Sequence, residues 1–236
     1  MAFSYTTIII IASIIGLLPA LFWLFFWLHN DSHKIPNKFI VFTFIIGALT
    51  VPLVIPLENI AHNLIPIIDN GIIATATIEE ILKFIIIAFL VLSSRHIKEP
   101  CDYVVYLVTG ALGFAAFENI LFLIGPLTDN NLVSTIVVGN IRFLGSTVLH
   151  SVSAAMLGIS LGVAFYQHKV IRIIYALFGL FFAITLHALF NIFIKNGGVT
   201  NITITIAILW IVGIIVVSLF RRLGDLRPPM YNINVQ

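Results

Sequence analysis

Charge and cysteine are both scarce in this chain. Of its 236 residues only 9% are Asp, Glu, Lys or Arg, and Cys101 is the single cysteine. Soluble domains carry roughly 25% charged residues, so the composition excludes a soluble globular protein. One cysteine excludes an intramolecular disulfide, so the cysteine content does not indicate whether the protein is in an oxidising or a reducing compartment. The chain also lacks a basic run or a basic patch interleaved with aromatics, which argues against a nucleic-acid partner.

Hydrophobic residues make up 60% of the chain. Seven apolar stretches of 19 to 23 residues are long enough to cross a bilayer of about 30 Å at about 1.5 Å of rise per residue. The stretches cover residues 7–28, 39–57, 71–92, 103–124, 144–165, 173–195 and 202–220. The sequence therefore predicts an all-α membrane protein, a polytopic bundle of about seven transmembrane helices that forms a single domain over 1–236 in the lipid bilayer.

Basic residues are distributed unevenly between the two sides of this bundle. One side has two, Arg142 and Lys195, and a further one, Lys83, lies within a span. The other side has nine: Lys34, Lys38, Arg95, Lys98, Lys169, Arg172, Arg221, Arg222 and Arg227. The positive-inside rule then predicts an outer N-terminus, an inner C-terminus and a cytoplasmic tail over 221–236.

The segment that follows the second span, 58–70, carries three polar side chains, those of Glu58, His62 and Asp69. Its apolar face is compatible with a position along the outer membrane interface. An ordinary loop explains the same pattern, and the sequence leaves both open.

Spans three to six contain ionisable side chains that are costly in lipid. These are Glu79, Glu80, Lys83, Glu118, His150 and His187, with Asn119 and Asn191 beside them. An ionisable group at mid-span costs about 2.5 kcal/mol or more, so such groups usually face the bundle interior and form a functional site. We therefore expect a catalytic four-helix core over 71–195. The alternative is a polar knot that only fixes helix packing.

The four predicted spans place these groups at a common depth. Under the predicted topology Glu79 and His187 lie about 12 Å below the outer edge, and Glu118 and His150 about 9 Å below it. A random scatter would use the whole membrane thickness. The common level predicts one site near the outer surface.

Small residues lie at helical spacing on the same helix face as two of these side chains. Ala111 and Ala115 share the face of Glu118, and Ala154, Gly158 and Gly162 share that of His150. Small residues at four-residue steps let transmembrane helices approach closely. The polar groups are therefore expected to face one another.

The adjacent carboxyls of Glu79 and Glu80 diverge by about 100° around a helix and so must have different surroundings. Lys83 is spaced to neutralise one of them, and the spacing leaves open which one. His187 and Asn191 share a helical face, so the amide can orient the imidazole or bind what the site acts on.

Buried carboxylates and two histidines are the groups needed to activate water against a carbonyl. The chain has no H-E-x-x-H motif and no pair of aspartates within its spans, and Gly145-Ser146 is only a weak signal for a serine mechanism. His150, His187 and a glutamate such as Glu118 could bind Zn²⁺ with an open water site, or act directly as general bases. The residue set is the same for both mechanisms.

Five segments of the chain form short polar motifs in a fixed order. Residues 79–83 have the pattern E-E-x-x-K, 99–106 have E-P-x-D…Y, 113–119 have G-F-A-x-x-E-N, 142–150 have R…H and 187–191 have H-x-x-x-N. These segments resemble the motifs of the PrsW intramembrane proteases. The motifs occur in the family's order over roughly 71–195. The wider superfamily, which includes the CAAX prenyl endopeptidases and the bacteriocin-immunity proteins, has the same order of motifs, E-E…H…H-x-x-x-N.

The resemblance implies a peptidase of the bacterial cell membrane that cleaves a membrane-anchored protein, such as an anti-sigma factor, near its extracytoplasmic side. It assigns water activation to Glu79 and a supporting role to Glu80. The remaining catalytic residues would be Glu118, His150 and His187. Binding or orienting roles fall to Lys83, Asn119, Arg142 and Asn191.

Two other classes of protein use similar residues. A proton-coupled transporter also has Glu and His side chains, but its path must cross the membrane, and the inner halves of these spans are apolar apart from Lys83. A non-catalytic partner or immunity protein of the same fold would keep the residues without the activity. An assay of the cleavage of a membrane-anchored protein distinguishes a protease from both the transporter and the non-catalytic partner.

Overall fold

The computed structural model describes residues 4–31, 35–64, 68–92 and 96–226, except the side chains of 68–70 and 196. These residues form seven helical rods and no strand, which confirms the predicted all-α class. The helices are α1 (Tyr5–His29), α2 (Asn37–Leu64), α3 (Ile68–Ile87), α4 (Pro100–Thr128), α5 (Leu132–Ile141), α6 (Thr147–Val163), α7 (Lys169–Asn196) and α8 (Val199–Leu223). A π-helical segment, Ala88–Leu92, extends α3, and a second one, Arg142–Ser146, joins α5 to α6 in a single rod.

Six of the rods are long and apolar enough to cross a membrane. The seventh is α3, in which Glu79, Glu80 and Lys83 interrupt the apolar sequence. The chain is therefore a multi-pass integral membrane protein. Lys34, Arg95, Arg227 and the tail from 227 onward lie outside the described residues, and the orientation of the termini stays a prediction.

The α4 helix occupies the centre of the bundle. In its most apolar stretch 67% of the residues are buried, against 17–33% in the other five apolar rods. It packs most extensively against α6, α1 and α2. The residues that α4 carries on its C-terminal half, Glu118 and Asn119, are consequently enclosed by other helices.

The α4 and α6 helices approach closely at the small residues that the sequence places there. A β-carbon on Gly158 would lie 2.6 Å from the Cα of Val104, and one on Gly162 would lie 2.7 Å from the Pro100 carbonyl oxygen. Neither position has room for a side chain. This contact holds the two helices close enough for Glu118 and His150 to interact.

The second helix is longer than the predicted span. It continues without a break to Leu64, although Pro52 and Pro56 lie inside it. Proline is tolerated in membrane helices because neighbouring groups satisfy the freed backbone atoms. For residues 58–64 the expected interfacial segment or loop is therefore wrong, and Glu58 and His62 are carried on the C-terminal end of a long apolar helix.

The fifth rod begins twelve residues before the predicted span. Its first residue is Leu132, and the amide oxygen of Asn131 caps it by accepting from the backbone N–H of Ser134 at 2.9 Å. The predicted start at 144 falls inside the π-helical segment. Arg142 therefore lies within a rod rather than in an outer connection.

The π-helical segment 142–146 is stabilised from outside its own rod. The indole N–H of Trp23 donates to the carbonyl of Phe143 at 3.3 Å, and that of Trp210 donates to the carbonyl of Leu144 at 2.9 Å. Single π turns inside α-helices occur frequently at functional sites. Here the segment carries Arg142 on the side of the bundle that contains the polar cluster.

Candidate catalytic site

The ionisable residues predicted from the sequence meet in one cluster. The α3 helix contributes Glu79, Glu80 and Lys83, and Glu118, His150 and His187 come from α4, α6 and α7. All except Glu118 are at most 5% exposed. The structure thus brings side chains from four rods into a single buried site.

Glu80 forms the best-connected part of this cluster. Its Oε1 atom accepts from Lys83 Nζ at 2.6 Å and lies 2.7 Å from His187 Nδ1. Because a carboxylate can only accept, Nδ1 carries the proton and the lone pair of a neutral ring is on Nε2. Lys83 therefore pairs with Glu80, and Glu80 fixes the tautomer and orientation of His187.

Glu79, the adjacent residue, has different surroundings. Its Oε2 atom is buried and has no hydrogen-bond partner among the described residues. His187 Nε2 lies 3.8 Å and Lys83 Nζ lies 3.9 Å from this oxygen. A buried polar atom without a partner is costly unless something binds to it, so Glu79 Oε2 is a candidate position for binding a proton, a water or an ion.

Glu118 and His150 form a second linked pair. Glu118 Oε2 accepts from Arg142 Nη2 at 2.7 Å and lies 3.0 Å from His150 Nε2. Arg142 Nε donates to Asn119 Oδ1, and the Asn119 amide donates to Thr147 Oγ1 at 3.1 Å. The other ring nitrogen, His150 Nδ1, lies 3.0 Å from Lys83 Nζ. His150 is therefore held on both sides.

The cluster opens on a cavity of about 480 Å³ that is lined by Glu79, Glu118, His150 and His187. The α2 helix adds Glu58 to this lining, and its carboxyl group is a neighbour of that of Glu79.

Sequence reasoning did not assign Glu58 to the site, although a signal was available. Val51, Val54, Ile55, Glu58 and His62 recur at three- and four-residue steps, and all of them line the cavity.

Asn191 faces the same cavity from α7. Within the described parts of the chain no hydrogen bond joins its amide to His187, whose Nδ1 is engaged by Glu80. The amide is therefore available to a group that enters the cavity.

Three residues are arranged so that they could hold a metal ion. Glu79, His150 and His187 each offer one ligand atom, and these atoms lie within 4.8 Å of one another. Two imidazoles and one carboxylate suit Zn²⁺ with an open position for water, and a carboxylate on the far nitrogen of a ligating histidine, as Glu80 provides for His187, is usual in such sites. The structure groups Glu79 with the histidines, whereas the sequence analysis named Glu118 with them, and to ligate an ion His150 would exchange its contact with Lys83 or with Glu118 for the metal.

Charge supports the same fit. The site contains four carboxyl groups, from Glu58, Glu79, Glu80 and Glu118, and two cationic groups, from Lys83 and Arg142. The carboxyl groups outnumber the cations by two, an excess that a divalent cation or two protons would balance. The residues present therefore fit a divalent ion.

Comparison with known proteins places these features in a family. The family model of the PrsW family intramembrane metalloproteases matches residues 35–219.

Three curated relatives carry the name Protease PrsW. The protein of Oceanobacillus iheyensis is 26% identical over 211 residues, which cover 84% of this chain and 91% of the relative. That of Bacillus subtilis is 27% identical over 165 residues, covering 67% and 71%. That of Geobacillus kaustophilus is 32% identical over 109 residues, covering 42% and 46%. No solved structure matches the chain.

The membrane-spanning helices and the family match define the class of this protein as a multi-pass intramembrane peptidase of bacteria. The matched region contains every motif on which the resemblance rested, from 79 to 191. The chain belongs to the PrsW family of intramembrane metalloproteases. The wider link to the CAAX prenyl endopeptidases and bacteriocin-immunity proteins stays a prediction.

Proposed function

We propose that this protein hydrolyses a peptide bond of a membrane-anchored protein of the anti-sigma-factor type, near its extracytoplasmic side, at the Glu79–His150–His187 group. One observation carries the proposal. Glu79 Oε2 is buried and without a hydrogen-bond partner in the described chain, beside two oriented imidazoles and a cavity. This is the arrangement that peptide hydrolysis needs for water activation.

In the proposed reaction each residue of the cluster has a separate task. Glu79 Oε2 takes the proton of the attacking water, because Lys83 is engaged more closely by Glu80. Glu80 keeps His187 in one orientation, and Glu118 with Arg142 does the same for His150. The Asn191 amide, which faces the cavity, donates to the carbonyl oxygen on which negative charge develops.

Glu79, His150 and His187 are also the residues that would hold a divalent ion such as Zn²⁺, and with that ion bound Glu79 would be a ligand instead of the base. Bound there, the ion would supply a water of lowered pKa and a positive charge for the scissile carbonyl. The chain then contributes the orientation of both rings and the neutralisation of Glu80 by Lys83 and of Glu118 by Arg142.

The lining of the cavity supports cleavage near the outer side. Its polar rim is formed by Glu58 and His62 at the end of α2 and by Lys195 at the end of α7. The predicted topology puts both helix ends outside. A peptide segment that leaves the membrane on that side can reach Glu79 without crossing the apolar half of the bundle.

The test uses a pool of tagged single-span reporter proteins whose outer juxtamembrane residues are randomised. The wild-type chain should release the outer tag from a subset of reporters, and the Glu79→Gln variant should release none at equal membrane abundance. Asp129→Asn, which removes an exposed carboxyl outside the cavity lining, is the matched control and should behave as wild type. Equal release by Glu79→Gln would overturn the proposal.

A further inference from the structure

A second cavity lies on the lipid side of the helix that carries His187 and Asn191. This groove, of about 270 Å³, runs between α7 and α8 and is lined mainly by apolar side chains. Four of them, Leu189, Phe193, Ile204 and Ile208, are between 47% and 54% exposed. The groove is therefore open to the membrane.

The groove lies at the level of the catalytic site. Residues 187–193 of α7 carry His187 and Asn191 on the cavity side and Leu189 and Phe193 on the groove side. Adjacent positions of a helix differ by about 100°, so two turns of one helix form a wall shared by both spaces. A segment in the groove has to pass only this wall to reach Glu79.

Phe190 is the point at which the two spaces meet. It is 5% exposed and lines both the groove and the catalytic cavity. Its ring rests on Gly145 of the π-helical segment, where a β-carbon would lie 2.9 Å from Phe190 Cζ. The ring therefore occupies space that exists only because position 145 has no side chain.

The second wall of the groove, α8, is the least embedded of the apolar rods. Only 17% of its most apolar stretch is buried inside the bundle. Its contact with α7 is much less extensive than the contact of α6 with α7. The seam between α7 and α8 thus leaves apolar surface open to lipid beside the site.

We propose that the α7–α8 groove receives the outer half of the apolar transmembrane helix of the protein substrate, and that Phe190 is the wall that this segment passes to reach the site. This inference rests on the proposed function. The chemistry of the groove supports the choice of occupant, because an apolar surface that faces lipid recognises an apolar helix by packing. Since the substrate is anchored in the membrane, it meets this surface by lateral diffusion.

The first experiment does not require cleavage. In the Glu79→Gln variant, a photoreactive phenylalanine analogue is placed either at Ile208, which lines the groove, or at Ala207. Ala207 is exposed at the same depth but does not line the groove. The probe is the co-expressed pool of tagged reporters with Leu- and Ala-rich spans. Crosslinks to reporters from position 208 and not from 207 are expected.

Equal crosslinking from the two positions, crosslinks to lipid alone, or no crosslink from 208 would overturn the proposed docking site. Because the variant is inactive by design, this result is independent of the proposed function. Captured reporters that the wild-type chain does not cleave would contradict the function and leave the docking site standing.

The second experiment tests the wall. Phe190→Ala should raise the cleavage of reporters with bulky outer residues relative to Ala-rich ones by about tenfold, the size of effect that pocket-volume changes produce. Gly145→Ala, which pushes on the ring, should shift the ratio the opposite way. Phe181→Ala, on an exposed position of α7 outside both spaces, is the control. An unchanged ratio in Phe190→Ala would overturn the role of this residue.

Discussion

His187 Nδ1 lies 2.7 Å from Glu80 Oε1, and this contact joins α7 to α3 across 107 positions of the sequence. Its other nitrogen, Nε2, lies 3.8 Å from Glu79 Oε2. Two adjacent glutamates therefore contact the two nitrogens of the same imidazole. Glu80 engages Nδ1 and Glu79 lies on the Nε2 side of the ring, so the two carboxyls have different contacts.

We expect Glu79→Gln and Glu80→Gln to fail in different ways. Glu79→Gln should lower cleavage by about 10²–10⁴-fold, the contribution of a general base, with the thermal unfolding temperature unchanged. Glu80→Gln should lower that temperature as well, because Lys83, which is 5% exposed, loses its closest charged partner, and removing one partner of a buried ion pair costs about 3–5 kcal/mol. Cleavage assays and thermal unfolding in detergent measure both. Equal unfolding temperatures for the two variants would contradict this assignment.

His150 and His187 should behave as one unit. Their rings lie 5.1 Å apart at 87°, and both belong to the group that contains Glu79. If they act on one water and one carbonyl, His150→Ala and His187→Ala should each reduce cleavage nearly as far as the double variant. The measurement is the rate of reporter cleavage at matched protein level. Losses that multiply would show that the histidines act independently.

Metal content should depend on the cluster. Purified protein should contain about one zinc per chain, which is the stoichiometry of a single site. Glu80→Gln should weaken zinc binding by about 10–100-fold because it releases the far nitrogen of His187. Elemental analysis gives the content, with Asp129→Asn as the control. A chelator should abolish cleavage and added zinc should restore it. Cleavage that resists metal removal would instead favour direct base catalysis by Glu79.

Gly158→Ala should disturb both the fold and the site. The added β-carbon would lie 2.6 Å from the Val104 Cα, and overpacking of this kind costs about 1–3 kcal/mol. The Glu118–His150 contact crosses the same pair of helices, so cleavage should fall too. Gly125→Ala is the matched control on α4, since no atom lies within 4 Å of the added carbon. A Gly158 variant as stable and active as the Gly125 variant would show that the helices can separate without consequence.

The predicted topology places the C-terminal ends of α4 and α8 on opposite sides of the membrane. Reporter fusions in the connection 129–131 and after residue 226 should report opposite sides of the membrane, with the C-terminus inside, because nine basic residues lie on one side against two on the other. Alkaline phosphatase and fluorescent-protein fusions distinguish the sides. Both fusions on one side would make the predicted orientation wrong and remove the support for an outer site.

The fold was predictable because the membrane constrains it strongly. Apolar stretches of sufficient length become helices, and side chains such as Glu79, Glu118 and His150 are expelled from lipid into the bundle. The small residues at 154, 158 and 162 identified the face of α6 that approaches α4. These signals are local in sequence, so they can be identified in one sequence without knowledge of the tertiary contacts.

Other features depend on partners that are distant in sequence. Helical spacing permits Lys83 to reach either Glu79 or Glu80, and the position of His187 near Glu80 is set by α7. Glu58 was assigned to the segment after the second span because the apolar stretch ends at 57, whereas α2 continues to Leu64 and carries Glu58 to the cavity. Such choices are made by tertiary contacts, and the sequence reports them only indirectly.

The π-helical segment at 142–146 holds one residue more than an α turn would, and the indoles of Trp23 and Trp210 satisfy two of its carbonyls. Because the extra residue is absorbed within one turn, deleting it would restore a continuous α-helix and leave the two halves of the rod in nearly the same relative rotation. His150, which follows the segment, would then keep its direction toward Glu118. Arg142 lies inside the segment, so its side chain would be redirected. The segment therefore allows the direction of the arginine to be set separately from that of the histidine on the same rod.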